Sequence, residues 1–217
     1  MKKFNIPWAK PEIGKEELNE VINTFKDGWL TTGKRVKKFE SEIASYVNVK
    51  HAIALSNGTD AIDIVLKTLG IGSGDEVIIP AHSYISTATA ISYQKAIPVF
   101  VDIDLKSMNL LPEKLIEAIS EKTKAIMYID YGGNPAHGDK IREIGKKYNI
   151  PVILDGAHSI GTIYKGKSTI SQSSISTMSF HMAKVLTTIE GGMVFTDNDE
   201  WCEEIRIRLN QGEFGEK

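Results

Sequence analysis

Apolar positions along the chain follow two rhythms. Residues 15–26 carry Leu18, Val21, Ile22 and Phe25 at helical spacing, and residues 35–47 repeat the pattern with Val36, Phe39, Ile43 and Val47. Two amphipathic helices are predicted to open the chain. From residue 51 onward, short runs that are almost wholly apolar alternate with helical stretches. The runs are 51–56, 76–81, 97–103, 124–130, 151–157, 176–180 and 192–197, and the helical stretches are 59–69, 86–95, 111–120 and 138–148. Strands that are apolar on both faces and separated by helical crossovers indicate a mostly parallel sheet covered by helices on each side. About a dozen residues with no obvious crossover helix separate the last two runs, so the seventh strand is expected to be antiparallel. The prediction is an α/β fold around a mostly parallel seven-stranded sheet with one antiparallel strand.

Punctuation between these elements adds detail. The loop DGWLTTGKR (27–35) carries Trp29, read as a packing anchor in preference to a partner contact. The glycines of GIGSGDE (70–76) follow a helix and precede a strand, the reverse of a dinucleotide fingerprint, so they are read as a helix end and turn. The serine-rich STISQSSIS (168–176) reads as a surface loop. Neither an internal repeat nor a linker is evident, and one domain is expected.

Composition narrows the function classes. At 217 residues, with 41% hydrophobic and 25% charged positions, the chain is ordinary for a globular domain. A formal net charge of -2 and scattered lysines give no pull toward nucleic acid or anionic membranes, so neither is expected as a partner. The single cysteine, Cys202, suits a reducing compartment and reads as a bystander on a helix. The N-terminal stretch has no apolar core of a secretory signal, and no run approaches the roughly 20 apolar residues of a membrane span, so a cytoplasmic location is expected. No metal site is expected.

In open α/β sheets, ligands collect beyond the carboxyl ends of the strands. There the first run leads into SNGTDA, where Gly58 and Thr59 open a helix whose free amides suit a phosphate; an ordinary helix cap reads identically. The second run delivers Tyr84, which either stacks on a planar ligand or covers the sheet edge. The fifth ends in Asp155, a carboxylate after apolar residues that needs a cation or hydrogen bonds, with His158 three residues on. Alone, His158 is more often a structural histidine. The sixth supplies Ser179, His181 and Lys184; an isolated lysine is usually a solvated surface cation, but a buried one can lose its proton and attack an aldehyde. Phosphate cradle, aromatic, acid and lysine at one sheet edge match what pyridoxal 5'-phosphate requires.

With these residues in view, the chain resembles the DegT–StrS family of fold-type I, pyridoxal-phosphate-dependent sugar aminotransferases. The resemblance runs through GWLTTG, SNGTDA, GDEVIIPAHSYISTA, PVFVDID, LDGAHSIGTIYKGK, SFHMAK with EGG, and RLNQGE. Members acting on a uridine-linked keto-pentose look especially similar. The resemblance implies the three-layer large domain of fold-type I over residues 1–217, without the small C-terminal domain. It implies that Lys184 attaches to the cofactor and moves a proton, that Asp155 pairs with the ring nitrogen, and that Tyr84 stacks on the ring. It places His158 against the ring edge, and Gly58, Thr59 and Ser179 on the phosphate. The implied reaction moves an amino group from an amino acid, glutamate by expectation, to a keto-sugar nucleotide in amino-sugar biosynthesis. Within the family, dehydratases carry histidine where this chain has Lys184, which argues against that chemistry; a non-catalytic regulatory role is the remaining alternative. Departures are Asp130 where relatives often have histidine, Leu154 where many have an acid, and Val185 where asparagine is common. Family members also form homodimers and continue past the equivalent of Lys217, so residues 1–217 alone are expected to bind the cofactor weakly.

Overall fold

The computed structural model describes residue 7 and residues 9–213; the first six positions, part of the stretch on which the expectation about a secretory signal rests, lie outside the described residues. Helices α1 (Lys15–Asp27) and α2 (Lys34–Val47) come first. Then follow β1 (His51–Leu55), α3 (Gly58–Thr68), β2 (Glu76–Pro80), α4 (Ile85–Tyr93), β3 (Ile97–Val101), α5 (Pro112–Ala118), β4 (Thr123–Ile129), α6 (Gly138–Tyr148) and β5 (Val152–Asp155). A small hairpin, β6 (Ile163–Tyr164) and β7 (Lys167–Ser168), precedes β8 (Ile175–Ser179), β9 (Gly192–Thr196) and α7 (Asp199–Leu209).

Seven strands form one sheet in the order β1-β9-β8-β5-β4-β2-β3. β9 runs antiparallel to both neighbours, and the remaining pairs are parallel. The reversed strand is the seventh of the sequence pattern, for the reason anticipated: a short connection cannot carry the chain back across the sheet. Strand residues alternate between two cores. On β4, Ile126 and Tyr128 pack with Ile43 and Val47 of α2, Leu115 of α5 and Ile141 of α6. Ala125 and Met127 pack with Ile62, Val65 and Leu66 of α3, Ala90 and Ile91 of α4, and Ile205 of α7. This gives the three layers, with the period-2 alternation of each strand assigning its side chains to opposite faces.

Several expectations are corrected. The fifth strand stops at Asp155 instead of reaching 157, because the chain turns after Gly156, whose carbonyl accepts from the Ser159 amide at 2.8 Å. The 168–176 segment is not a surface loop: Ile170 is buried in the core, and Ser176 donates to the Ile170 carbonyl at 3.0 Å. Ser171, Ser174 and Ser176 donate to backbone carbonyls and Ser173 pairs with the Tyr128 hydroxyl, roles that composition does not reveal. Trp29 is not a packing anchor; it is 63% exposed, its indole N–H donating to the Thr32 carbonyl at 3.0 Å. The predicted apolar stripe of α1 is present as a helix face, but Leu18, Val21, Ile22 and Phe25 are all exposed. Cys202 is a free, buried thiol on α7.

One buried charge organises the β1 edge. Glu40 of α2 accepts from the Ala54 amide at 2.8 Å and from Arg206 of α7 at 3.0 Å, joining three elements. Glu40→Ala leaves that amide and the guanidinium short of an acceptor, and is expected to cost about 2 kcal/mol in urea melts, against under about 0.5 kcal/mol for the exposed-pair change Glu42→Ala.

Candidate active site

Strand direction gathers the chemistry. β1, β8, β5, β4 and β2 all end at the same sheet edge, and β9, being reversed, begins there. At the end of β1, α3 opens with Asn57 as its cap, the side chain accepting from the Asp60 amide at 2.9 Å. The amides of Gly58 and Thr59 stand at the first two helical positions, where no carbonyl lies one turn back within the helix. The cap reading and the anion-cradle reading are thus compatible: Asn57 takes one amide and leaves two. Gly58 is needed because a Cβ there would lie 2.8 Å from the Ser179 Cβ, so the start of α3 sits directly against the end of β8. Asp60, bonded by Ser56 and Asn57, adds one negative charge beside these donors.

Asp155 ends β5 and is 4% exposed. One carboxylate oxygen accepts from the Ala157 amide at 3.2 Å, the other from the Thr87 hydroxyl at 3.0 Å, and Thr87 is in turn bonded to Ser83 at 2.7 Å. Burial pushes the Asp155 carboxyl above the ordinary range; these bonds and the nearby charges of Lys184 and His158 oppose the rise without cancelling it. Folding therefore binds a proton at Asp155 more tightly than the unfolded chain does, so its ionised form costs stability at neutral pH and the cost fades as pH falls toward the unfolded value near 4. Asp155→Asn is accordingly expected to melt higher than the parent at pH 7, with the difference vanishing by about pH 4, in parallel thermal melts across that range.

Lys184 lies on the loop between β8 and β9, whose neck is closed by the Phe180 amide on the Gly191 carbonyl at 2.8 Å. Its half-buried Nζ is 3.1 Å from Nε2 of His158. Burial lowers the pKa of both groups, with Asp155 opposing in each case. The histidine that meets Lys184 is thus His158, from a separate loop, and not its chain neighbour His181, which takes the Ala183 amide at 3.3 Å. In the same loop Ile189 adopts φ +73°, a left-handed conformation strained for a β-branched residue. Ile189→Gly is expected to stabilise by about 1 kcal/mol in chemical denaturation, since the side chain is exposed and little packing is lost.

Gly58, Thr59, Ser179, Asp155, His158 and Lys184 therefore share one edge, and Lys184, His158 and Asp155 act on one another. Tyr84, 69% exposed, stands at the start of α4, and no ring contact or hydrogen bond to the other site residues is found for it among the described residues. Residues missed from the sequence are Thr87, which orients Asp155, and Tyr131, whose ring meets His158 edge-on at 5.9 Å. Thr87 was detectable in principle: it shares the buried i, i+3, i+4 face of its helix with Ala90 and Ile91. Tyr131 offered no such periodicity. Among the described residues no group of three or more His, Cys, Asp or Glu is placed to hold a metal ion. A separate cavity of about 460 Å³ lies at the other end of the sheet, lined by Leu69, Ile119, Tyr148 and Pro151, and contains none of these residues.

Comparison with known proteins gives the family of the chain. Residues 11–216 match the model of the DegT/DnrJ/EryC1/StrS aminotransferase family. An uncharacterized protein of Methanocaldococcus jannaschii is 42% identical over 202 residues, covering 93% of this chain and 52% of that protein. The spore coat polysaccharide biosynthesis protein SpsC of Bacillus subtilis is 40% identical over 202 residues, with the same coverage of 93% and 52%. The chain thus spans about half the length of these curated relatives. Among solved structures, Spr1654 of Streptococcus pneumoniae, assigned as a sugar aminotransferase and determined in its PLP form, superposes with a TM-score of 0.88 at 32% identity, covering 94% of this chain and 57% of that one. Sheet order, sequence match and structural likeness converge, and the chain belongs to the DegT/DnrJ/EryC1/StrS aminotransferase family.

Proposed function

We propose that this chain forms the pyridoxal-phosphate-binding part of an aminotransferase acting on a keto-sugar nucleotide, with an amino acid such as glutamate as donor. The observation that carries this is the meeting of a half-buried lysine, a buried carboxylate and a helix start with free amides at one sheet edge. Support comes also from Spr1654, which is known in PLP and PMP forms. The residues fit the cofactor. The Gly58 and Thr59 amides and the Ser179 hydroxyl suit its phosphate, packed together where a Cβ on Gly58 would intrude. Asp155, rigidly held by Thr87 and Ala157, is the residue to keep a proton on the ring nitrogen. Lys184, its ammonium form disfavoured by burial, is the nucleophile and afterwards the base that carries a proton to and from the substrate carbon. His158 is assigned to the ring edge and Tyr84 to the ring face, the latter requiring its exposed ring to turn inward. Bound pyridoxal phosphate supplies the aldehyde that takes up the amino group and the ring that accepts electron density.

The test is direct. The chain is incubated with a large molar excess of pyridoxal phosphate, reduced with borohydride and digested, and the modified peptide is mapped; modification centred on Lys184 is expected, and modification spread over surface lysines would sink the assignment. Glutamate added before reduction should then convert bound cofactor to its amine form, as read by absorbance. Homodimerisation and a cytoplasmic setting belong to the same proposal. The exposed apolar face of α1 supports self-association, and light scattering tests it. The reduced, buried Cys202 is compatible with a reducing compartment.

A further inference from the structure

Three hydrogen bonds tie the 130–136 segment after β4 to the 156–162 loop that carries His158. The Ser159 hydroxyl donates to Asp130 at 3.0 Å, the Thr162 hydroxyl donates to the Gly133 carbonyl at 3.1 Å, and the Gly132 amide donates to Nδ1 of His158 at 3.1 Å. Asp130 is fully buried and also accepts from the Ala136 amide at 2.9 Å, while buried Asn109 accepts from the Tyr131 amide at 2.9 Å. The segment presenting the Gly132 amide is therefore held from both sides. Gly132 itself has φ +61°, a conformation glycine adopts without steric cost.

A backbone N–H can only donate. The Nδ1 that faces it must be the acceptor of the imidazole, and in the neutral ring the proton then sits on Nε2. Nε2 lies 3.1 Å from Nζ of Lys184. An Nε2–H facing an ammonium would set donor against donor, so this contact is a hydrogen bond only when Nζ offers its lone pair.

We propose that the Gly132 amide, acting through the tautomer of His158, is a positioning device that holds Lys184 as a free amine before any aldehyde arrives. The inference rests on reading Lys184 as the attachment residue. Burial of Lys184 and of His158 works in the same direction. Asp155, from the end of β5, is the charged group that acts on both and opposes the effect. The imidazole also meets the Tyr131 ring edge-on, and His82 lies against Tyr131 at 4.1 Å with the rings tilted by 42°. Asp130 contributes at one remove, by fixing the loop that presents the amide.

The test uses the cofactor-free chain. Nitrogen-15 spectra of the five histidines, with His158 assigned by its disappearance in His158→Gln, should show Nδ1 unprotonated and Nε2 protonated at pH 8. A proton on Nδ1 would overturn the proposal. Trace acetylation of Lys184 with acetic anhydride across a pH series then reports how readily the amine is free. His158→Gln, whose amide can accept from Gly132 and donate to Lys184, should keep the parental midpoint. His158→Met, of similar bulk but no donor, should raise it by about one pH unit, so that labelling at a pH below the midpoint slows about tenfold. Equal midpoints in all three chains would also overturn it. Because no cofactor is present, a failure of pyridoxal phosphate to modify Lys184 would refute the aminotransferase reading separately and leave these outcomes to stand or fall alone.

Discussion

Lys184→Ala is expected to abolish borohydride-fixed attachment of pyridoxal phosphate while leaving the fold intact. The side chain is half-buried, and among the described residues its side-chain hydrogen bond is to His158, so truncation removes an amine whose charged form is disfavoured and little packing. Thermal stability should stay within about 1 kcal/mol of the parent. Amino transfer with glutamate should fall by at least about 10⁴-fold, the upper end of what one positioned proton-transfer group contributes, since this lysine is also the nucleophile. Lys184→Arg should fail equally, because a guanidinium does not lose its proton. Peptide mapping and half-reaction absorbance read both variants. Attachment to a different lysine in the parent, or persistence of fixed cofactor in Lys184→Ala, would remove Lys184 from the reaction.

Gly192→Ala is the structural counterpart. Gly192 begins β9 and pairs with Leu55 on one side and Ser179 on the other, at the edge where α3 begins with Gly58 and Thr59. A Cβ at this position would lie 2.1 Å from the Asn57 carbonyl oxygen and 2.9 Å from the Gly58 nitrogen, both of which are backbone atoms. Relief then requires moving the turn that opens α3, because a rotamer change at a neighbour does not clear the clash. The expected loss is about 3 kcal/mol in urea unfolding, together with weaker binding of inorganic phosphate or pyridoxal phosphate. Gly72→Ala, where an added Cβ meets nothing within 4 Å, is the control and should change stability by under about 0.5 kcal/mol. A Gly192→Ala protein as stable as this control would mean that β9 and α3 do not approach so closely.

The strands were legible because a central parallel strand is apolar on both faces, and runs such as VIIP and VILD stand out from their surroundings. Their ends were less so. The strand ending at Asp155 reads on to residue 157, since Gly and Ala continue the apolar composition while the chain itself turns. Trp29 and the serine-rich 168–176 segment were misread for opposite reasons: one is large and apolar yet 63% exposed, the other polar yet folded over the core. Composition reports a residue's preference for water, whereas burial depends on what the rest of the chain brings to that place. Asp130 illustrates the same limit. Its burial raises its pKa, and its bonds to Ser159 and Ala136 make it the brace of two loops, whereas the sequence marks it only as the end of an apolar run where relatives often have histidine.

The sequence by itself determined the layer order, the single reversed strand and the short set of polar residues that stand at strand ends, because each of these follows from local periodicity and from the rule that ligands meet an open sheet at its carboxyl edge. Only the tertiary structure decided which of those residues touch. It chose His158 over His181 as the neighbour of Lys184, put Thr87 beneath Asp155, and set the Gly132 amide against a ring nitrogen. Such pairings join loops from different crossovers, and their geometry is set by the twist and spacing of the whole sheet, which no window along the chain contains.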